Sequence, residues 1–355
     1  MIRSKLLTAS ILAAGGVMFS TAAMAEVPVG TEVLREWNLV VLGDLASSSE
    51  VEGRTFVGGN LSGNASNYNI MPDEPSPNGQ PGLIVVGNVT GGHKNLNNGS
   101  GAIVGGNVDS GFNLNGQQTV QVGGTLSNTN INSNVVTSGI AASDPAFVQN
   151  LKQDASLLES SMLNLSADLE GLSPNSTMET MGSRGVFNAA PDAEGLAVFS
   201  IDAADLNAIG EIDFRLNGAE TVVVNVTGSS VVLNDNFLGG TQELGENVIW
   251  NFSEAENLEF TTAFGGSVLA PKAKATTANY IEGSAVFGSL TQNGEMHVGT
   301  YKGGYTPPGN PGTPPGGSST SSGGTPVPEP GMLGLFGAAL AGLVFLRRRR
   351  RRQNA

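Results

Sequence analysis

The chain contains no cysteine. That excludes disulfide stapling, thiolate metal sites and a cysteine nucleophile, so the fold must rest on a buried core or a stack of repeats. Histidine is almost absent as well. His93 lies in a polar Gly-Gly-His-Lys-Asn loop and His297 closes Gly294-Glu295-Met296-His297. Neither has a partner at metal-ligand spacing. Aromatic residues are 6% and charged residues 14% of the 355 residues, too few for a charged helical surface. No Gly-x-Ser-x-Gly elbow, phosphate loop, nonapeptide calcium repeat or full EF-hand loop is present.

Basic residues are scarce outside the two ends. Eight of the 17 are Arg3, Lys5 and the six arginines 347–352. Without both end segments, which also removes Glu329, 9 basic residues face 30 acidic ones, a net charge of −21. Such a surface repels nucleic acid and anionic lipid. Its simplest consequence is solubility; attraction of divalent cations or basic partners is the other reading. What the chain has in abundance is glycine, 50 residues, together with Val, Asn and Thr. That mixture suits strands joined by tight turns.

The two ends read as addresses. Arg3 and Lys5 precede a short apolar run, and Ala23-Met24-Ala25 fits the small-x-small cleavage rule. Residues 1–25 are therefore expected to be a secretory signal peptide, with Ala23 and Ala25 framing the cut and Glu26 as the mature N-terminus. At the other end, Val327-Pro328-Glu329-Pro330 precedes an uncharged run, 331–346, and then Arg347, Arg348, Arg349, Arg350, Arg351 and Arg352. The run spans about 24 Å as a helix, short of a bilayer core of about 30 Å. Flanking arginines that snorkel allow it to span, and they hold that end cytoplasmic. The trio resembles the PEP-CTERM sorting signal, over 327–355. The resemblance implies recognition and cutting by an exosortase in a Gram-negative bacterium that makes exopolysaccharide. With the signal peptide it implies export through the Sec translocon, a transient inner-membrane span, and then release or attachment at the cell surface or extracellular matrix. Residues 303–326 are a Pro/Gly/Ser/Thr linker that cannot bury a core.

Between the ends a phrase recurs. It reads Thr55-Phe56-Val57-Gly58-Gly59-Asn60-Leu61, Ile84-Val85-Val86-Gly87-Asn88-Val89, Ala102-Ile103-Val104-Gly105-Gly106-Asn107-Val108 and Val120-Gln121-Val122-Gly123-Gly124-Thr125-Leu126. From Asn88 to Asn107 to Thr125 the steps are 19 and 18 residues. Met71-Pro72-Asp73-Glu74-Pro75-Ser76-Pro77-Asn78 lengthens one rung as an inserted loop. Short fixed periods indicate solenoids. We expect a mainly β fold, a parallel β-helix over 26–302, with a β-sandwich as the alternative. Its corners fall at Gly58, Gly59, Asn60, Gly87, Asn88, Gly105, Gly106, Asn107, Gly123 and Gly124. Glycine is expected there for positive φ, which Asn tolerates, and stacked Asn side chains are expected to hydrogen-bond along the stack.

One helix is predicted over about 144–170. Ser143-Asp144-Pro145 starts it and Gly171 ends it. Phe147, Leu151, Leu158, Met162, Leu165 and Leu169 form one apolar stripe, which should lie on a flank of the solenoid. Strands then resume from about residue 184. Ile281-Glu282-Gly283-Ser284-Ala285-Val286-Phe287 echoes Val51-Glu52-Gly53-Arg54-Thr55-Phe56-Val57, so the last coils should return to the same stack. The strand order within 172–245 stays open.

The opening Asn38-Leu39-Val40-Val41-Leu42-Gly43-Asp44-Leu45, with Val51-Glu52-Gly53-Arg54, and the closing Gly266-Ser267-Val268-Leu269-Ala270-Pro271 resemble the choice-of-anchor A domain over most of 33–300. That resemblance implies an extracellular, adhesin-type β-solenoid without catalytic residues. We therefore expect a non-enzymatic surface or matrix protein, tied to biofilm and binding exopolysaccharide or another surface ligand. No cofactor is expected, and weak calcium binding by corner Asn and Asp stays open. Two alternatives stand beside it. A polysaccharide lyase would need clustered acidic and basic groups. An ice-binding solenoid would need Thr ladders, which do not recur at coil spacing.

Overall fold

The computed structural model describes residues 27–71 and 75–307. The expected signal cleavage at Ala23, Ala25 and Glu26, most of the linker and the whole sorting signal lie outside the described residues. No helix among the described residues is long and apolar enough to cross a membrane; the run 331–346 lies outside them.

Strands dominate, and among the described residues only the pair Thr177–Met181 with Arg184–Asn188 is antiparallel. The alternative of a sandwich is thereby overturned. Each N-terminal coil has three sides. Leu39–Val41 makes the first, Leu45–Ser47 the second and Glu50–Val51 the third. Thr55–Val57, Leu61–Gly63 and Ser66–Tyr68 repeat them one rung on. Alternate residues point inward, where Leu39, Val41, Val57, Leu83, Val85, Val104, Val120 and Val122 stack without exposure. Each such side chain contributes roughly 1.5–3 kcal/mol on burial.

The stack is not in chain order. Along the first side the rungs run Val135–Thr137, Thr119–Val122, Ala102–Val104, Leu83–Val85, Thr55–Val57, Leu39–Val41, Ala285–Gln292, Ser267–Thr277, Val248–Asn251, Thr221–Thr227 and Leu196–Asp202. The chain thus starts in the middle, builds to one end, and crosses to the far end. It then builds back until Ala285–Gln292 meets Leu39–Val41. The echo of Val51-Glu52-Gly53 in Ile281-Glu282-Gly283 is this meeting, since Met296–His297 pairs with both Ile281–Glu282 and Val51.

The long helix Pro145–Glu170 makes the crossing. At 1.5 Å per residue it spans about 39 Å, about four-fifths of the roughly 48 Å between the first and last of eleven rungs. Asp144 caps it, accepting from the Ala146 N–H at 3.1 Å. Leu151, Leu158, Met162, Leu165 and Leu169 are buried against the outward residues of the first side, Val40, Phe56, Ile84, Val198, Val223, Ile249, Leu269 and Val286. Two buried asparagines pin it. Asn225 Nδ2 donates to the Leu169 carbonyl at 2.7 Å, and Asn251 Nδ2 donates to the Ser166 carbonyl at 2.8 Å. Thr31–Glu36, Ile140–Ser143, Ala203–Asn207 and Gln242–Asn247 are additional short helices. Thr31–Glu36 joins the long helix on this flank, with Val33 and Leu34 buried in the same cluster, so the expected single flanking helix has a short companion.

The region 172–245 supplies the hairpin Thr177–Met181 and Arg184–Asn188, then Glu211–Arg215 and Asn236–Leu238, as a four-stranded sheet. The coils here are filled by Phe187, Phe199, Phe214, Phe237, Trp250 and Phe264, in edge, tilted and stacked contacts. The N-terminal coils are filled mainly by Val and Leu, with Tyr68 and Phe112.

One expectation about the corners fails. None of Gly58, Gly59, Gly87, Gly105, Gly106, Gly123 and Gly124, nor Asn60, Asn88 and Asn107, has a positive φ. Glycine is required there because adjacent coils touch. A Cβ on Gly58 would stand 2.2 Å from the Leu42 carbonyl oxygen, and one on Gly123 would stand 2.1 Å from that of Gly105. The left-handed residues sit one turn later, at Gly63, Gly91 and Gly111.

Candidate functional site

The helix covers the first side, which leaves the second and third sides to meet a partner. On the second side the pairings Thr276↔Thr291, Thr291↔Ala46 and Ala46↔Ser62 set outward residues side by side. Thr90 and Asp109 follow through the bridges Leu61↔Val89 and Val89↔Val108. Thr276, Thr291, Ala46, Ser62 and Thr90 thus form one row of small side chains across five rungs. Sequence spacing hides it, because residues 276 and 291 belong to the returning half. Only Thr276 and Thr291 are adjacent threonines, and Ala46 and Ser62 interrupt the row, so no regular Thr ladder forms, as expected. Charge interrupts the same side at Glu259, Lys274 and Asp109, all exposed.

Beside that row runs the predicted corner ladder. Asp44 Oδ1 accepts from the Asn60 N–H at 2.7 Å, Asn60 Oδ1 from Asn88 at 2.9 Å, Asn88 Oδ1 from Asn107 at 2.8 Å, and Asn107 Oδ1 from Thr125 at 2.9 Å. Gly59, Gly106 and Gly124 make room for it: a Cβ there would lie 2.4, 2.4 and 2.0 Å from a ladder oxygen. A Cβ on Gly87 would lie 2.6 Å from Asn60 Oδ1.

The third side carries a second ladder, which the repeat phrase does not announce. Asn67 Nδ2 donates to Glu50 Oε1 at 2.8 Å, Asn95 Nδ2 to Asn67 Oδ1 at 2.7 Å and Asn113 Nδ2 to Asn95 Oδ1 at 2.6 Å. A parallel link joins Asn115 Nδ2 to Asn97 Oδ1 at 2.9 Å. Farther along this side Tyr280 stacks on the His297 ring, with centroids 4.5 Å apart and planes 11° off parallel. His297 Nε2 lies 2.8 Å from Glu295 Oε2.

The two histidines do not converge, either with each other or with Arg215, a basic residue that a lyase would need beside them. His93 contacts the Asn128 carbonyl at 3.2 Å and sits three rungs from His297, about 14 Å along the stack. Arg215 pairs with Asp213 at 3.1 Å on the four-stranded sheet. Among the described residues no three His, Cys, Asp or Glu side chains group as a metal site. Lys94 is buried, and its ammonium donates to the carbonyls of Ser62 and Asn64. Burial pushes its pKa down to about 8, and nothing places it toward a ligand. Both tryptophans, Tyr68 and Tyr301 are buried, so they offer no stacking platform to a sugar.

Residues 30–298 match the family model described as "Putative Ice-binding-like adhesive domain". Residues 326–351 match that of the PEP-CTERM protein-sorting motif. No curated protein and no solved structure matches the chain.

Proposed function

Because the chain belongs to the ice-binding-like adhesive domain family and carries a PEP-CTERM sorting motif, we propose that this exported surface protein holds extracellular polymer by contact alone. The polymer in this reading is the exopolysaccharide of the host's own matrix. The Sec translocon exports the chain, residues 331–346 hold it briefly in the inner membrane, and an exosortase cuts the tail. The mature domain then works at the cell surface or in a biofilm matrix, without a cofactor.

The observation that carries this reading is the pair of uncovered sides with hydroxyl and amide rows in rung register. Repeated weak contacts of one kind suit a polymer, because linked contacts add through effective concentration. Catalysis is disfavoured by the separation of His93, His297 and Arg215. An acid–base pair needs groups within hydrogen-bond reach of one substrate atom. Ice is disfavoured by Asp44, Asp109, Glu259 and Lys274, whose hydration breaks up a flat, neutral face.

The test incubates processed protein from the native host with the host's own exopolysaccharide. Retention on the polymer with unchanged chain length is the expected result. Release of new reducing or unsaturated ends, lost in His297→Ala or Arg215→Ala, would replace the reading with an enzymatic one.

A further inference from the structure

The third side holds more than a ladder. Two shallow concavities of about 350 Å³ each lie there. One is lined by Ile70, Asn97, Asn98, Asn115 and Gly116. The other is lined by residues of the ladder's outer end together with Asn130 and Asn132, and Asn115 belongs to both. They lie side by side across Asn115, and we take them as two lobes of one groove. None of its lining side chains is charged, in a mature chain whose net charge is −21.

The chemistry of the walls is almost purely amide. An Asn side chain has two N–H donors and two acceptor lone pairs. A ladder amide such as Asn95 gives one donor to its neighbour and takes one hydrogen bond back, so one donor and one acceptor remain. Asn113 and Asn115 stand at the ends of their links and donate inward, which leaves their carbonyl oxygens available. Asn97 donates to the Tyr68 and Asn95 carbonyls and keeps one acceptor site. The free donors and acceptors of Asn95 and Asn113 repeat with the rungs, about 4.8 Å apart, close to the length of one sugar ring along an extended glycan. The best complement to a donor beside an acceptor is a hydroxyl, which is both.

Resting on the adhesive reading above, we infer that this groove binds an uncharged glycan, reading its hydroxyls through Asn95, Asn97, Asn113 and Asn115. An anionic polysaccharide is rejected twice. The groove has no cation to receive a carboxylate, since the Lys94 ammonium is committed to Ser62 and Asn64. The surrounding surface also repels negative charge. A protein partner would look for open apolar or aromatic anchor pockets, whereas the apolar lining here is the partly buried Ile70 and Leu114 and Phe112, whose side chain is already buried in the core.

Affinity electrophoresis of the processed protein tests this, with hydroxyethyl cellulose and galactomannan as neutral probes, polygalacturonate as the anionic probe and gelatin as the protein probe. Retardation by a neutral glycan and not by polygalacturonate is expected. Asn113→Asp with Asn115→Asp keeps the shape and removes donors; it should weaken retardation about tenfold, the loss of one or two net hydrogen bonds. Asn113→Ala with Asn115→Ala should do the same, with unchanged circular dichroism as the check on folding. Leu157→Ala, on the exposed back of the long helix, should leave it unchanged, and Thr291→Tyr probes the hydroxyl row of the second side instead. Binding to polygalacturonate, or neutral-glycan binding abolished by Thr291→Tyr but untouched by both asparagine pairs, overturns the groove and leaves the adhesive reading standing. Retardation by gelatin alone overturns the glycan. Failure of every polymer, the host's own included, removes both.

Discussion

Asp235 shows how one residue can work against the fold that holds it. It is buried, and neither carboxylate oxygen has a hydrogen-bond partner. Burial pushes its pKa up to about 6 from 3.8. The folded state therefore binds this proton more tightly than the unfolded state. At pH below 4 both states are protonated and the site costs nothing. As pH rises through about 6 the folded protein must ionise a desolvated carboxyl, and stability falls. Asp235→Asn copies the neutral form. It should raise the melting temperature at pH 7.5 by a few degrees, roughly 1–2 kcal/mol, and flatten the drop between pH 4 and 6. An unchanged thermal scan at pH 7.5 counts against it. Nothing in Asn234-Asp235-Asn236 signals this, because a corner Asp and a buried one read alike in sequence. The corner glycines were legible by position but not by cause. The repeat phrase marks Gly58 and Gly123, while the near contact with Leu42 and Gly105 appears only once the coils are stacked.

At the scale of the element, the long helix was the most legible part of the chain. Its stripe has a helical period, and Asp144-Pro145 marks its start. Its function in the fold was not legible. A reader of the sequence sees a helix beside a solenoid, whereas the helix carries the chain from one end of the stack to the other. Its polar seam was equally hidden. Ser166 Oγ donates to Asn251 Oδ1 at 2.6 Å, and Asn251 Nδ2 reaches both the Ser166 carbonyl and Asn225 Oδ1 at 2.8 Å. All three residues are buried. Asn251→Ala leaves Ser166 and Asn225 short of partners, which costs about 1–3 kcal/mol for each group orphaned. At about 2–4 °C per kcal/mol for a large domain, the expected drop in melting temperature is at least about 4 °C. Leu157→Ala, on the exposed back of the same helix, should stay within about 0.5 kcal/mol of the parent. Equal effects from the two substitutions would mean that the seam contributes nothing specific.

For the whole molecule, the order of the rungs matters more than their number. Leu39, Val40 and Val41 pair with Ala285, Val286 and Phe287 on one edge and with Thr55, Phe56 and Val57 on the other. The first coil made is therefore complete only when the last one arrives. Leu45↔Leu290 and Met296↔Val51 close the other two sides. A strap then ties the seam down. The Tyr301 hydroxyl lies 2.7 Å from Thr221 Oγ1, the Arg35 guanidinium sits 5.3 Å over the Tyr301 ring, and Arg35 also bonds the Gly303 carbonyl. The 281–287 echo of 51–57 made this closure legible, whereas the row Thr276, Thr291, Ala46 and Ser62 across the seam was not, since its members lie far apart in sequence. The closure predicts a sharp threshold on truncation. Ending the chain after residue 307 keeps every described rung, so melting should match that of the processed protein. Ending it after residue 280 uncovers Leu39 and Val41 along a bare parallel edge, together with Val268 and Leu269 on the returning half. Long apolar edges of that kind recruit other chains. The shorter protein should accumulate in inclusion bodies or give a broad, early transition. A soluble, cooperative product from the 280 truncation would show that the N-terminal coils fold without their last neighbour, and that the seam is a late contact rather than the keystone of the stack.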